Sequence, residues 1–158
     1  MHRRTIAFVL AGALGLYGAY RGVSCVLRSD RDRVVEVVDT LTSSFAEGDL
    51  SSLLGCLTVD FEALWRRQSY SREDIADHMR VVFVQGGRLV LEGGIRSIEI
   101  EPEGEKGSAV VVWEGEARHK AAGATTYQDV LHRGTGVLRL CKVGGSWLLA
   151  SAEARPER

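Results

Sequence analysis

The chain has no asparagine at any of its 158 positions. It therefore offers no N-glycosylation acceptor and no Asn-based catalytic group. Lysine occurs only at 106, 120 and 142, so the basic residues are mostly arginine. A formal net charge of -1 supplies no basic field for a nucleic acid, and no nucleic-acid partner is expected. Neither C-x-x-C nor H-E-x-x-H occurs, and there is no phosphate loop, nucleotide fingerprint or Ser-His-Asp order. These absences leave no expected metal or cofactor. What remains is ordinary for a globular domain: 45% hydrophobic and 26% charged residues, at a length suited to one domain with a real core.

The first 28 residues depart from that average. His2-Arg3-Arg4 precedes an uncharged run, Thr5–Tyr20, followed by Arg21-Gly22-Val23-Ser24-Cys25 and the charged segment SDRDR. A basic start, a short apolar run and small residues before a cut are the parts of a secretory signal. The run is slightly shorter than the roughly 20 residues that span a bilayer, but it extends through Val26-Leu27 if Arg21 snorkels. Gly22-Val23-Ser24-Cys25 resembles a bacterial lipobox, with Gly22 where that pattern prefers Leu, which makes Cys25 a lipidation candidate. The reading is residues 1–28 as signal peptide or membrane anchor with a short linker, and 29–158 as the domain. It places the protein at the cell envelope, either membrane-anchored or exported to a bacterial periplasm. Cys56 and Cys141 read as small buried hydrophobes, with a bridge between them left open by an oxidising compartment.

Beyond the linker, helical periodicity comes first and strand periodicity second, the order of an α+β domain. Ser29 or Asp30 can cap a helix whose stripe is Val34, Val37, Val38, Leu41 and Phe45. Gly48 ends it, and Asp49 caps a short helix carrying Leu50, Leu53, Leu54 and Leu57. Ser71 and Asp74 have capping-box spacing, and a third helix presents Ile75, His78, Met79, Val82 and Phe83 on one face. From Arg88 the period becomes two. Ile98 and Ile100 alternate with glutamates. Ala109, Val111, Trp113, Gly115, Ala117 and His119 form the less polar face of the next strand. Gly134 and Gly136 suggest a bulge or bend, and Gly144-Gly145 a hairpin before SWLLASAEA. Three helices and about four strands, the longer ones antiparallel, are predicted.

A helix ending in AEGD, then LSSLLGCLTVDF, a helix after YSREDI, and a sheet closing with GVLRLCKVGGSWLL together resemble the nuclear-transport-factor-two-like (NTF2-like) superfamily. That superfamily includes the SnoaL-like and ketosteroid-isomerase-like proteins, and the resemblance spans about residues 30–154. It implies a cone, in which a bent sheet wraps the long first helix and leaves a pocket at its open end. The Gly48-Asp49 corner would fold the short helix across the cone's end. Family activities include isomerases, dehydratases, cyclases and epoxide hydrolases, beside binding and accessory domains. A ketosteroid-isomerase-like site needs a Tyr on the first helix as oxyanion donor. Asp30 to Gly48 contains none, only the polar Asp39, Thr40, Thr42, Ser43 and Ser44 among candidates. The Asp-Arg-Asp set of the epoxide hydrolases finds no convincing counterpart in Asp60, Asp129 and Arg139.

The candidate pocket residues are Phe61, Trp65, Tyr70, His78, Trp113, His119 and His132. The resemblance makes Phe61, Trp65 and Tyr70 a pocket mouth, and Trp65-Arg66-Arg67 reads equally as an exposed partner surface. His78 and His119 are the residues that could act as a base of near-neutral pKa. The side of the strand on which His132 lies is left open by Gly134. The reading is a non-catalytic module that binds a small apolar ligand or another protein, with a homodimer through the sheet as one arrangement. The rival is a small enzyme of the SnoaL or dehydratase type with a pocket histidine as base.

Overall fold

The computed structural model describes residues 29–101, 106–121, 123–124 and 129–156, with the side chains of 129–132 and 156 left aside. The signal or anchor segment and Cys25 lie outside the described residues. Among the described residues no helix is long and apolar enough to cross a membrane.

Helix α1 (Asp30–Glu47) begins with a reciprocal box. Ser29 Oγ accepts from the Asp32 amide, and the Asp32 carboxylate accepts from the Ser29 amide. This satisfies donors that the first turn cannot. Val34, Val38, Leu41 and Ser44 form its buried stripe, and the buried Ser44 hydroxyl is satisfied by donating to Thr40 O at 2.6 Å. Gly48 closes the helix at φ 77, its N–H donating to Ser44 O. A Cβ there would also sit 2.7 Å from Arg88 Cζ, the movable end of a long side chain, so it is the left-handed backbone that favours glycine. Asp49 accepts from the Ser52 amide at 3.0 Å and starts helix α2 (Leu50–Gly55) at once. The predicted corner is therefore a C-cap joined directly to an N-cap.

The chain then departs from the sequence-based expectation. Strands β1 (Leu57–Trp65) and β2 (Gln68–Ser71) occupy the segment expected to be a helix end and a loop. Helix α3 (Arg72–Val84) follows, capped by Ser71 and Asp74 as predicted. The remaining strands are β3 (Arg88–Glu101), β4 (Ser108–Lys120), β5 (Asp129–Val143) and β6 (Ser146–Pro156). The sheet thus has six strands instead of about four, in the order β2-β1-β6-β5-β4-β3. Its pairs are antiparallel except β1 with β6, which is parallel. Of the two glycines expected at a bulge or bend, Gly134 takes a positive φ of 149, while the register shifts fall elsewhere. Register shifts occur at Ile95/Ser97, Ala117/Arg118 and Arg139/Leu140.

The helices pack on one face of this curved sheet. Val34 and Leu53 from the helices and Val111 from the sheet are wholly buried, each contributing about 1.5–3 kcal/mol in transfer from water. Leu57, Phe61, Ala109, Leu140, Trp147 and Leu149 complete the sheet side of the core. Cys56 and Cys141 are free thiols, and burial pushes the pKa of each upward. They flank β6 from opposite sides. Cys56 O accepts from the Leu149 amide, and Cys141 pairs with Leu148.

Candidate functional site

Cross-strand pairing fixes which side chains share the inner face of the sheet. One row runs Ile98–Val111–Leu138–Ala152–Ala63–Tyr70 and packs against the core, Tyr70 excepted. The next row outward runs Ile95–Trp113–Gly136–Ala154. Leu64 pairs with Glu153 in parallel register, which puts Trp65 beside Ala154 at the end of that row. Because side chains alternate along a strand, Trp65 faces the same way as Ala63 and Trp113 the same way as Val111.

Two half-buried tryptophans therefore stand on one face with only Gly136 and Ala154 between them. Three strand spacings separate them, roughly 14 Å between backbones. The Trp113 indole lies back over glycines: a Cβ on Gly93 would be 2.7 Å from its Cζ2, and one on Gly115 would be 2.5 Å from its Cη2. A side chain at either place would also collide with the paired strand's backbone, at Glu114 O from Gly93 and at Glu92 O from Gly115, so it would disturb both the strand pair and the ring. On its other side Gly136 leaves the ring free, since a Cβ there would come no nearer than 3.9 Å to Trp113. Further along the same two strands, Leu91 pairs with Ala117 and Leu89 with His119. The arrangement is an apolar floor with aromatic walls, the composition of a small-molecule site.

The other predicted residues fall as follows. His119 is half-buried at the end of β4, with its Nε2 3.3 Å from where a Gly87 Cβ would stand, beneath the α3–β3 turn. Tyr70 donates its hydroxyl to Gln68 Oε1 at 2.7 Å. His132 pairs with Ala117 through its backbone, and its side chain lies outside the described residues. Phe61 is 6% exposed and belongs to the core, so it supports the floor from behind and does not wall a mouth. His78 requires a correction: it is exposed, not on the apolar face of α3. The buried side of that helix is centred on Met79, and the adjacent position is rotated about 100° from it. Sequence reasoning missed Gly136 and Ala154, whose role appears only once the strands are in register.

At the tip of the β1–β2 hairpin, Arg66 and Arg67 both have left-handed backbones, φ 51 and 66. The Arg66 guanidinium carbon lies 4.7 Å from the centroid of the Trp65 ring. A separate open groove of about 630 Å³ runs along the outer face of α1, beside Asp32, Val35, Glu36, Asp39, Thr40 and Ser43. Its described lining is one helix face, which gives a ligand contact on a single side. Among the described residues no group of three or more His, Cys, Asp or Glu could hold a metal ion.

No protein-family model matches the sequence, and no curated protein matches it significantly. Solved structures do match. A conserved protein from Planctomyces limnophilus superposes with a TM-score of 0.67 at 14% identity, covering 81% of this chain and 98% of that one. A ketosteroid isomerase-like protein from Erwinia carotovora atroseptica gives 0.61 at 14% identity, covering 84% and 99%. An NTF2-like protein from Cytophaga hutchinsonii gives 0.58 at 12% identity, covering 82% and 99%. The chain shares the α+β fold of these NTF2-like and ketosteroid isomerase-like structures, helices packed on one face of a curved sheet. At these identities the likeness concerns the fold, and function has to be argued from the site.

Proposed function

We propose that this NTF2-like domain binds a small, predominantly apolar ligand on the inner face of its sheet, between Trp65 and Trp113. The observation that carries the reading is the bare floor of Gly136 and Ala154 beside an indole bedded on Gly93 and Gly115. A tryptophan held flat by two glycines is a preformed wall, and a preformed wall costs a ligand little ordering on binding. The domain is also read as exported or membrane-tethered, on the strength of the uncharged run Thr5–Tyr20 and its basic flank.

Isothermal calorimetry of the full chain with 1-decanol tests the binding site. Trp113→Ala and Trp65→Ala should each weaken binding about ten-fold, equivalent to ~1.4 kcal/mol. Binding unchanged in both variants, or absent in the parent, would reject this site.

A further inference from the structure

We infer that the ligand of this site carries an anionic group, a carboxylate on an apolar body, which Arg66 and Arg67 receive at the hairpin tip. The inference rests on the ligand-binding reading above and deepens it.

Three features of the tip lead there. A two-residue hairpin with both central residues at positive φ is a turn that glycine or asparagine adopts most easily. The chain has 18 glycines, yet arginine fills both places, at φ 51 and 66. Second, the nearby carboxylates already have partners. Glu62 accepts from the Ser69 hydroxyl, and Glu153 is held by Arg155 at 2.8 and 3.0 Å. Among the described residues neither Arg66 nor Arg67 forms an ion pair. Third, Arg66 is not a loose cation. Its guanidinium carbon lies over the Trp65 ring, one wall of the apolar floor, which keeps the charge beside the site. A guanidinium so held offers paired donors that match a carboxylate.

Contact of this tip with a membrane surface is the competing use, and the fold disfavours it. Ser29, where the domain joins residues 1–28, lies beside Asp30, which bonds to Lys142 and Trp147 at the hairpin end of β6. Trp65 neighbours Ala154, seven residues further along that strand, roughly 23 Å away at strand rise. A tether leaving from Ser29 and the arginine tip are at opposite ends of the sheet.

Calorimetry on the full chain with decanoate and 1-decanol, both below their aggregation limits, separates the readings. Decanoate should bind about ten-fold or more tighter than decanol, the size of a charge-assisted pair. Arg66→Gln and Arg67→Gln should each bring decanoate affinity down to the decanol affinity measured on the same variant. Arg66→Gly with Arg67→Gly guards against misfolding, because glycine relieves both left-handed residues. This protein should melt no lower than the parent and still lose the preference. Equal affinity of the parent for decanoate and decanol overturns the inference and leaves the apolar site standing. No binding of either rejects both. Absence of a decanoate preference, with arginine-dependent binding to phosphatidylglycerol vesicles, overturns the inference in favour of a membrane contact.

Discussion

Asp30 accepts a hydrogen bond from the Trp147 indole at 3.1 Å, joining the first turn of α1 to the closing hairpin across 117 residues of sequence. Lys142 Nζ reaches the same carboxylate oxygen at 3.2 Å and lies 5.8 Å from the Trp147 ring centroid. The start of α1 is therefore tied to the β5–β6 hairpin by one carboxylate, one indole and one ammonium. Trp147 is 4% exposed and supplies both a hydrophobic plug and the polar handle that orients α1.

Trp147→Ala should lower stability by about 3–5 kcal/mol, the cost of a truncated buried aromatic. Asp30→Ala should cost less, about 1–2 kcal/mol, because the hydrogen bonds go but the packing remains. Urea unfolding measures both. A Trp147→Ala protein as stable as the parent would mean that the hairpin does not close the core.

Acid should act through the same contact. Hydrogen bonds from Trp147 and then Lys142 hold the Asp30 carboxyl below its usual 3.8. The folded state thus releases the proton more readily than the unfolded chain. Its stabilisation is complete above 3.8 and is lost as pH falls through the lowered folded value. Asp30→Asn should be less stable than the parent at neutral pH, and the gap should narrow as pH falls below 3.8. Thermal melts across that range would show it, and a gap independent of pH would assign the effect to shape instead of charge.

The parts of the fold legible in the sequence were those encoded locally. Ser29, Gly48-Asp49 and Ser71/Asp74 announce helix ends by cap chemistry alone, and β4 shows its alternation without interruption. β1 was hidden. Its register slips between Leu57 and Glu62, so Thr58 is buried at 5% while Val59 is 93% exposed, and the alternation of Phe61, Ala63 and Trp65 begins only after the slip. Its partner β6 lies some ninety residues away and pairs in parallel, which leaves no hairpin signal. The tryptophans were visible as candidates. The glycine and alanine between them belong to two different strands, and only cross-strand register brings them together. His78 was misplaced because it sits at the edge of the apolar arc, where periodicity alone does not decide.

Two glycines on this face should therefore answer substitution in opposite ways. At Gly115 an added Cβ would run first into the Glu92 carbonyl oxygen of the paired strand, and would also meet the Trp113 ring at 2.5 Å and Gly93 Cα at 2.7 Å. Gly115→Ala should accordingly lose about 1–3 kcal/mol through overpacking and lift the indole from its bed. At Gly136 the nearest atom to an added Cβ is Trp113 Cε3 at 3.9 Å, an ordinary contact. Gly136→Ala should be neutral or stabilising by about 0.5–1 kcal/mol, since glycine inside a strand is entropically costly. Gly136→Val should also fold, because branched residues suit strands, but its side chain would fill the floor between Trp113 and Ala154. Melting temperature and decanol affinity, measured on all three proteins, give the outcome. The site requires Gly136→Val to melt like the parent and bind at least about ten-fold more weakly, ~1.4 kcal/mol. A folded Gly136→Val protein with undiminished affinity would place the ligand elsewhere on the domain.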